Sequence, residues 1–304
     1  MKVGISVCSS YPHVSPKVAA GYMVERTRAA REAGLDTLFV GDHHVTATNY
    51  LQNNVILARM LAEWGDKPFG ALYLLPFWHP VLLAEQIGTL ASLAAGPFIM
   101  QCGLGDKRQC QALGFDSAQR VDRFTASLSI LKALWDGETV NESNYWSIHQ
   151  ARIAPIPSQH IEVWVGAVVE PAIERTARLG DGWLAAPSLS FEQAEHGLKR
   201  YQYYCDQLNC SPGANAIRRD FLIAPTSQAA QARARPYLES GYRGIPAKSL
   251  LIGSVAEVVD QIGRLQALGF SDVIVRNISG EQSECLNSID LLSEVRRQVG
   301  EDPL

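Results

Sequence analysis

Asp42-His43-His44 stands where an apolar run, Leu38-Phe39-Val40-Gly41, comes to an end. A carboxylate beside two imidazoles supplies groups that hold or move protons near neutral pH. In a parallel α/β protein the strand ends face the ligand. His43 is therefore the candidate catalytic residue, with Asp42 fixing its orientation; the alternative is a pair of satisfied polar groups. Successive strand residues point to opposite faces, so His44 reads as structural. No metal site is expected. Metals need three or four convergent ligands, adjacent histidines diverge, and His13, His79, His149, His160 and His196 show no ligand spacing.

Other strand ends carry weaker signals. Gly103-Leu104-Gly105 lacks the third glycine of a dinucleotide loop and the Gly-Lys-Ser/Thr ending of a phosphate loop. It lets backbone approach a ligand, or it is an ordinary tight turn. Asp106 after it fits a helix N-cap. Gly166-Ala167-Val168-Val169 precedes a helix opening at Glu170-Pro171, and free N–H groups at a helix start form a ready anion site. Tyr11, Trp78 and Trp183 fall just past strands one, three and six, where they line an apolar pocket or pack its rim. Acyl transfer has no support: Glu239-Ser240-Gly241 only grazes a nucleophile elbow.

These positions need a scaffold, and strand–helix alternation supplies it. Residues 3–8, 37–41, 69–75, 98–102, 161–165, 182–185, 217–224 and 272–276 read as strands. Helical spacing fills 18–33, 53–63, 80–93, 121–134, 170–179 and 191–208. Ser254-Val255-Ala256-Glu257 reads as a capping box, and Gly34 and Gly269 as C-cap glycines. Eight such units give an α/β fold, a (β/α)8 TIM barrel over residues 1–304 as a single domain. Two stretches lack a period and read as insertions: 136–153, irregular or hairpin-like, and 240–251, a candidate lid. An open doubly wound sheet would usually show glycines after strand one, and Cys8-Ser9-Ser10-Tyr11 does not.

Composition agrees with an enzyme of this kind. Apolar residues make up 47% of 304, and the net charge is −4. That balance argues against a nucleic-acid surface. No apolar run reaches the roughly 20 residues of a membrane helix, and residues 1–6 show no signal-peptide core. Six scattered cysteines without a Cys-x-x-Cys pair fit reduced thiols in the cytoplasm.

Three stretches together resemble the bacterial luciferase-like oxidoreductase superfamily. They are 34–44, Leu75-Pro76-Phe77-Trp78-His79-Pro80 running to Gln86, and Trp164-Val165-Gly166 running on to Gly180-Asp181-Gly182-Trp183. The resemblance implies a barrel that binds FMN or the deazaflavin F420. Asp42-His43 and the stretch Gly103-Leu104-Gly105-Asp106-Lys107 are similar to deazaflavin-dependent members; luciferase has an arginine for the flavin phosphate where Gly103 stands. The implied activity is an F420-dependent oxidoreductase passing hydride between the deazaflavin and a small organic substrate. His43 and Asp106 would manage charge and protons, Asp106 as proton donor. The alternatives are an FMNH2-dependent two-component monooxygenase and a non-catalytic flavin-binding relative. By position, the resemblance also assigns cofactor contacts to Asp42, His43, Ala71, Leu72, Gly103, Gly105 and Lys107. It puts a non-prolyl cis peptide at Ala71-Leu72 and the cofactor phosphate at Gly166, Ala167, Val168 and Val169. A homodimer and a separate reductase or dehydrogenase supplying reduced cofactor belong to the same expectation, with neither nucleic acid nor membrane as a partner.

Overall fold

A computed structural model describes residues 1–300. The strands are β1 (Lys2–Val7), β2 (Leu38–Val40), β3 (Phe69–Leu74), β4 (Phe98–Gly103), β5 (Val140–Glu142), β6 (Ile148–Ala151), β7 (Glu162–Gly166), β8 (Gly182–Ala185), β9 (Ala214–Ile223), β10 (Leu251–Gly253) and β11 (Asp272–Asn277). The helices are α1 (Pro16–Glu32), α2 (Asn53–Trp64), α3 (Pro80–Leu93), α4 (Lys107–Ala112), α5 (Arg120–Trp135), α6 (Glu170–Leu179), α7 (Phe191–Gln207), α8 (Ser227–Glu239), α9 (Val255–Leu268) and α10 (Gln282–Gly300).

Eight parallel strands close on themselves in the order β1-β2-β3-β4-β7-β8-β9-β11. This is the (β/α)8 barrel the alternation predicts. Local chemistry marks the helix ends. Ser15 caps α1, Pro16 starts it, and Gly34 follows at φ 76°. Ser254 and Glu257 form a reciprocal capping box on α9, which ends at Gly269 with φ 103°.

The structure departs from the sequence reading in several places. β9 begins at Ala214 rather than 217 and runs ten residues, because it serves three neighbours. Its first half pairs with β8, its middle with β11, and Phe221–Ile223 pair with β10. Three-residue β10 is too short to show a period and lay hidden at the end of the 240–251 stretch. The rest of that stretch is two single 3-10 turns, Tyr242–Gly244 and Ala247–Ser249. Within 136–153, β5 and β6 form a small antiparallel ladder. The cis peptide expected at Ala71-Leu72 is absent. The cis bond among the described residues is Ala154-Pro155, while β3 keeps unbroken register with β4 from Phe69↔Phe98 to Leu74↔Gly103.

Two of three apolar clusters hold the barrel itself, and the third packs α8 against β9 and β10. The larger lies between sheet and helices, with Leu38, Val40, Trp64, Phe69, Leu131, Trp183, Val273 and Leu292 among its members. The smaller plugs the barrel's own interior: Phe39, Ile99, Trp164, Leu184, Ala216 and Ile274, one from each of six strands. The Phe39 and Trp164 rings meet at 5.6 Å between centroids. Gly70 makes this plug possible: a Cβ there would sit 1.7 Å from the Ile99 carbonyl oxygen and 3.1 Å from the Phe39 ring. Gly70→Ala is therefore expected to destabilise the fold by about 2 kcal/mol or more, the scale of core overpacking. Chemical denaturation measures it, and an unchanged midpoint would refute the plug's tight fit.

Candidate active site

Period-two alternation carries the inward face upward from the plug. Phe39 leads to Gly41 and His43, Ile99 to Gln101 and Gly103, and Trp164 to Gly166. Ala216 leads to Arg218 and Asp220, and Ile274 to Arg276. Above the plug lies a cavity of about 390 Å³, within the usual range for ligand sites. Its wall includes Ser6 and Cys8 from β1 and its end, Gly41 and His43 past β2, Leu72, Tyr50, Arg218, Arg276 and Arg243. Gly103 and Gly166 end β4 and β7 on this inward face without side chains, and Gly41 follows β2 in the cavity wall. Gly41 also admits the Tyr50 hydroxyl, which a Cβ would meet at 2.6 Å.

His43 lies in the cavity wall as expected, but Asp42 does not orient it. The alternation that turns His44 outward turns Asp42 with it. Asp42 Oδ2 accepts from the Leu74 N–H at 2.8 Å and the Trp78 indole N–H at 2.9 Å, and Oδ1 lies 3.0 Å from His44 Nε2. This buried carboxylate ties β2 to the end of β3.

His43 is held instead by Gln109 of α4, with Arg108 of the same helix beside its ring. Gln109 is buried; its Oε1 accepts from the Asp106 N–H at 3.4 Å, and its Nε2 donates to the His44 carbonyl at 3.2 Å. That network fixes the amide so that Nε2 faces His43 Nδ1 at 3.1 Å. Nδ1 is then an acceptor and the ring proton sits on Nε2. Arg108 Nη1 donates to the Val45 carbonyl at 2.6 Å; its Nη2 lies 3.3 Å from the protonated Nε2, donor against donor, and so makes no hydrogen bond to the ring. Burial first, and the Arg108 charge second, hold His43 below the usual imidazole pKa. It is the neutral form that faces the cavity at pH 7.

The remaining expected residues are distributed unevenly. Asp106 is exposed and caps α4, its Oδ1 accepting from the Gln109 N–H at 2.8 Å; it is absent from the cavity wall. Its position before a helix made the cap reading equally available. Gly105 has φ 70° and a Cβ there would clash with the Phe77 ring at 2.2 Å, while Lys107 is exposed in the first turn of α4. Leu72 lines the cavity; Ala71, next to it, belongs to the outer core. Val169 begins α6 with no side-chain cap, and Gly166 and Val168 are exposed beside Ala167. The aromatic trio fails as a pocket. Trp183 is fully buried, donates to the Ala167 carbonyl at 3.0 Å and packs on Tyr201 and Phe270. Tyr11 is buried beside Tyr22 and under Arg26. Trp78 serves Asp42. Each points to the helix side of its strand.

Sequence reasoning missed the polar wall that shares the cavity with His43. Arg218, Arg243 and Arg276 face the cavity around one carboxylate, Asp220, whose side chain is wholly enclosed. Alternation along β9 was the available signal: Arg218 and Asp220 share a face with Ala216. Arg276 donates to the Cys8 sulfur at 2.9 Å. Burial would raise the Cys8 thiol, but the Arg276 charge and hydrogen bond outweigh it and lower its pKa. Burial pushes Tyr50 up to about 12, so its phenol stays protonated.

The luciferase-like monooxygenase family model matches residues 1–250. The chain belongs to this family. A curated relative from Intrasporangium calvum, described as an F420-dependent glucose-6-phosphate dehydrogenase, is 23% identical over 316 aligned positions, covering 90% of this chain and 94% of its own. Among solved structures, the oxygenating constituent of 3,6-diketocamphane monooxygenase from Pseudomonas putida, in complex with FMN, superposes with a TM-score of 0.82 at 17% identity, covering 100% and 99% of the two chains. An F420-dependent secondary alcohol dehydrogenase with an F420-acetone adduct gives 0.80 at 14% identity, covering 99% and 100%. These structural likenesses show the shared barrel.

The lowered pKa of His43 sets a pH dependence. The native ring binds fewer protons than the unfolded one, whose pKa is about 6.5. Its contribution to stability is thus complete above pH 6.5 and is lost as pH falls through the window below it. An NMR titration of the His43 ring should give an inflection below 6.5 with the proton on Nε2, and Arg108→Gln should move the inflection upward. A native value above 6.5, or a proton on Nδ1, would refute the arrangement.

Proposed function

We propose that this chain is a hydride-transferring oxidoreductase that takes the deazaflavin F420 and acts on a small organic substrate. The observation that carries the reading is His43, a neutral imidazole in the wall of a ligand-sized cavity at the strand ends of the barrel. The side-chain-free strand ends at Gly103 and Gly166 would leave room for a flat tricyclic ring beside the cavity. Leu72 would back it and Gly105 and Lys107 would flank it. The uncapped start of α6, with the N–H groups around 166–169, suits a phosphate. When bound, the deazaflavin supplies a two-electron hydride from its ring carbon.

The chain's own part is polar and positional. His43 donates from Nε2 to the oxygen on which charge develops, and Gln109 keeps that proton in place. Arg108 keeps the ring neutral and must swing aside for a substrate oxygen to reach Nε2. As Asp106 is spent on capping α4, His43 is left as the hydrogen-bond donor to that oxygen, and the proton itself is exchanged with solvent. The reading includes a homodimer, an enzyme that regenerates reduced cofactor and a cytoplasmic setting, all drawn from the family resemblance. No helix among the described residues is long and apolar enough to cross a membrane.

The FMN reading is favoured by the family model and by the FMN-bound neighbour. Calorimetric titration with F420 and FMN in both redox states separates the two. Preference for F420, with His43→Ala lowering kcat roughly 10²–10³-fold while binding persists, is the expected result. Tight binding of reduced FMN with substrate-dependent oxygen uptake would make it a monooxygenase. Binding without turnover on any substrate, unaltered by His43→Ala, would mark a non-catalytic relative.

A further inference from the structure

The wall that shares the cavity with His43 carries more positive charge than the protein neutralises. Asp220 Oδ1 accepts from Arg218 Nε at 3.1 Å and Nη2 at 3.0 Å. Its Oδ2 accepts from the Tyr242 hydroxyl at 2.8 Å and Arg243 Nη1 at 2.9 Å. One carboxylate is thereby surrounded and has little left to offer Arg276, whose protein hydrogen bond runs to Cys8. Three guanidinium groups face one carboxylate and one sulfur, so the cluster stays positive even with Cys8 ionised.

Two of the three arginines are drawn in from the surface, and Arg243 stands at the rim. The Arg218 side chain is 20% exposed and that of Arg243 41%, and both open into the cavity. Charge withdrawn from water is costly unless a counter-charge meets it. Guanidinium groups present paired donors in a plane that matches an oxyanion. The acid in the cavity wall, Asp42, directs its carboxylate to the Leu74 amide, the Trp78 indole and the His44 ring rather than to these arginines.

We infer that Arg218, Arg243 and Arg276 form a subsite for the anionic head of the substrate, a carboxylate, phosphate or sulfonate, in the same cavity as His43. Naming it a substrate subsite rests on the hydride-transfer reading; the anion site itself does not. The head group would complete the charge balance that Asp220 begins and would hold the reacting carbon toward His43. Arg243 stands on the 3-10 turn Tyr242–Gly244 with φ 49°, left-handed for a residue with a side chain. Its bond to Asp220 accompanies that conformation and brings it over the cavity.

Arg243 is the residue to test, because it stands on an exposed turn, whereas Arg276 is a half-buried member of β11 bonded to Cys8. Inorganic phosphate, acetate and methanesulfonate are titrated calorimetrically into the protein at constant ionic strength, with F420 and FMN titrated in parallel. One of the three is expected to bind saturably at one site. Arg243→Gln should weaken it at least tenfold, Arg243→Lys should restore part of the loss, and cofactor affinity should move less than threefold. The preferred probe tells which head group the site takes. Absence of saturable binding by all three would overturn the inference. So would binding indifferent to Arg243→Gln, which would place the anion elsewhere, such as the start of α6. A parallel loss of cofactor affinity in Arg243→Gln would also overturn it, since the arginines would then hold the cofactor's own phosphate. If neither cofactor binds the unaltered protein while the anion does, the hydride-transfer reading fails and the anion site stands.

Discussion

The apolar plug at the waist of the barrel is the constraint on which the rest depends. Phe39, Ile99, Trp164, Leu184, Ala216 and Ile274 fill the interior, and the ring of Phe39 fits because Gly70 has no side chain. Once these six point inward, alternation leaves no choice for the residues two steps further along each strand. Gly41, Gly103 and Gly166 present no side chain, while Arg218 and Arg276 must project into the cavity. A one-residue slip would exchange His43 for Asp42 or His44. The chemistry is therefore registered by packing below it.

The same register divides the Asp-His-His run between two duties. Asp42 and His44 turn outward, where a buried carboxylate collects the Leu74 amide, the Trp78 indole and the His44 ring. Buried carboxylates persist when they are hydrogen-bonded on this scale. His43 turns inward and takes its partner from α4. The short helix matters more than its six residues suggest, since its capping box orders Gln109, and Gln109 orders the imidazole.

Charge is distributed with equal economy. The neutral imidazole stands near Arg108, which disfavours its protonation. Among the arginines of the same cavity, Asp220 is held below the ordinary carboxylate pKa: burial opposes ionisation, but the charges of Arg218, Arg276 and Arg243 prevail. Burial lowers Arg218 to about 10, still well above neutral pH. The site thus combines a neutral hydrogen-bond donor with a positively charged recess.

Much of this was legible from the chain alone. Apolar runs of strand length alternating with helical periods determine a (β/α)8 barrel, because period and length are local properties. The C-cap glycines and the capping box at Ser254 are equally local, and the strand-end position of His43 follows from them. Trp183, Tyr11 and Asp106 show the limit. A strand end says that a residue is near the mouth, but only the inward register says which face it takes. Trp183 faces the helices, and Asp106 is consumed by its helix. Ala71-Leu72 stays trans within an unbroken ladder. The arginine wall joins β9, β11 and a turn after α8, separated by up to 58 residues between Arg218 and Arg276. No spacing rule links them. Sequence determined the elements, through local backbone and burial preferences; barrel closure alone decided which distant charges meet.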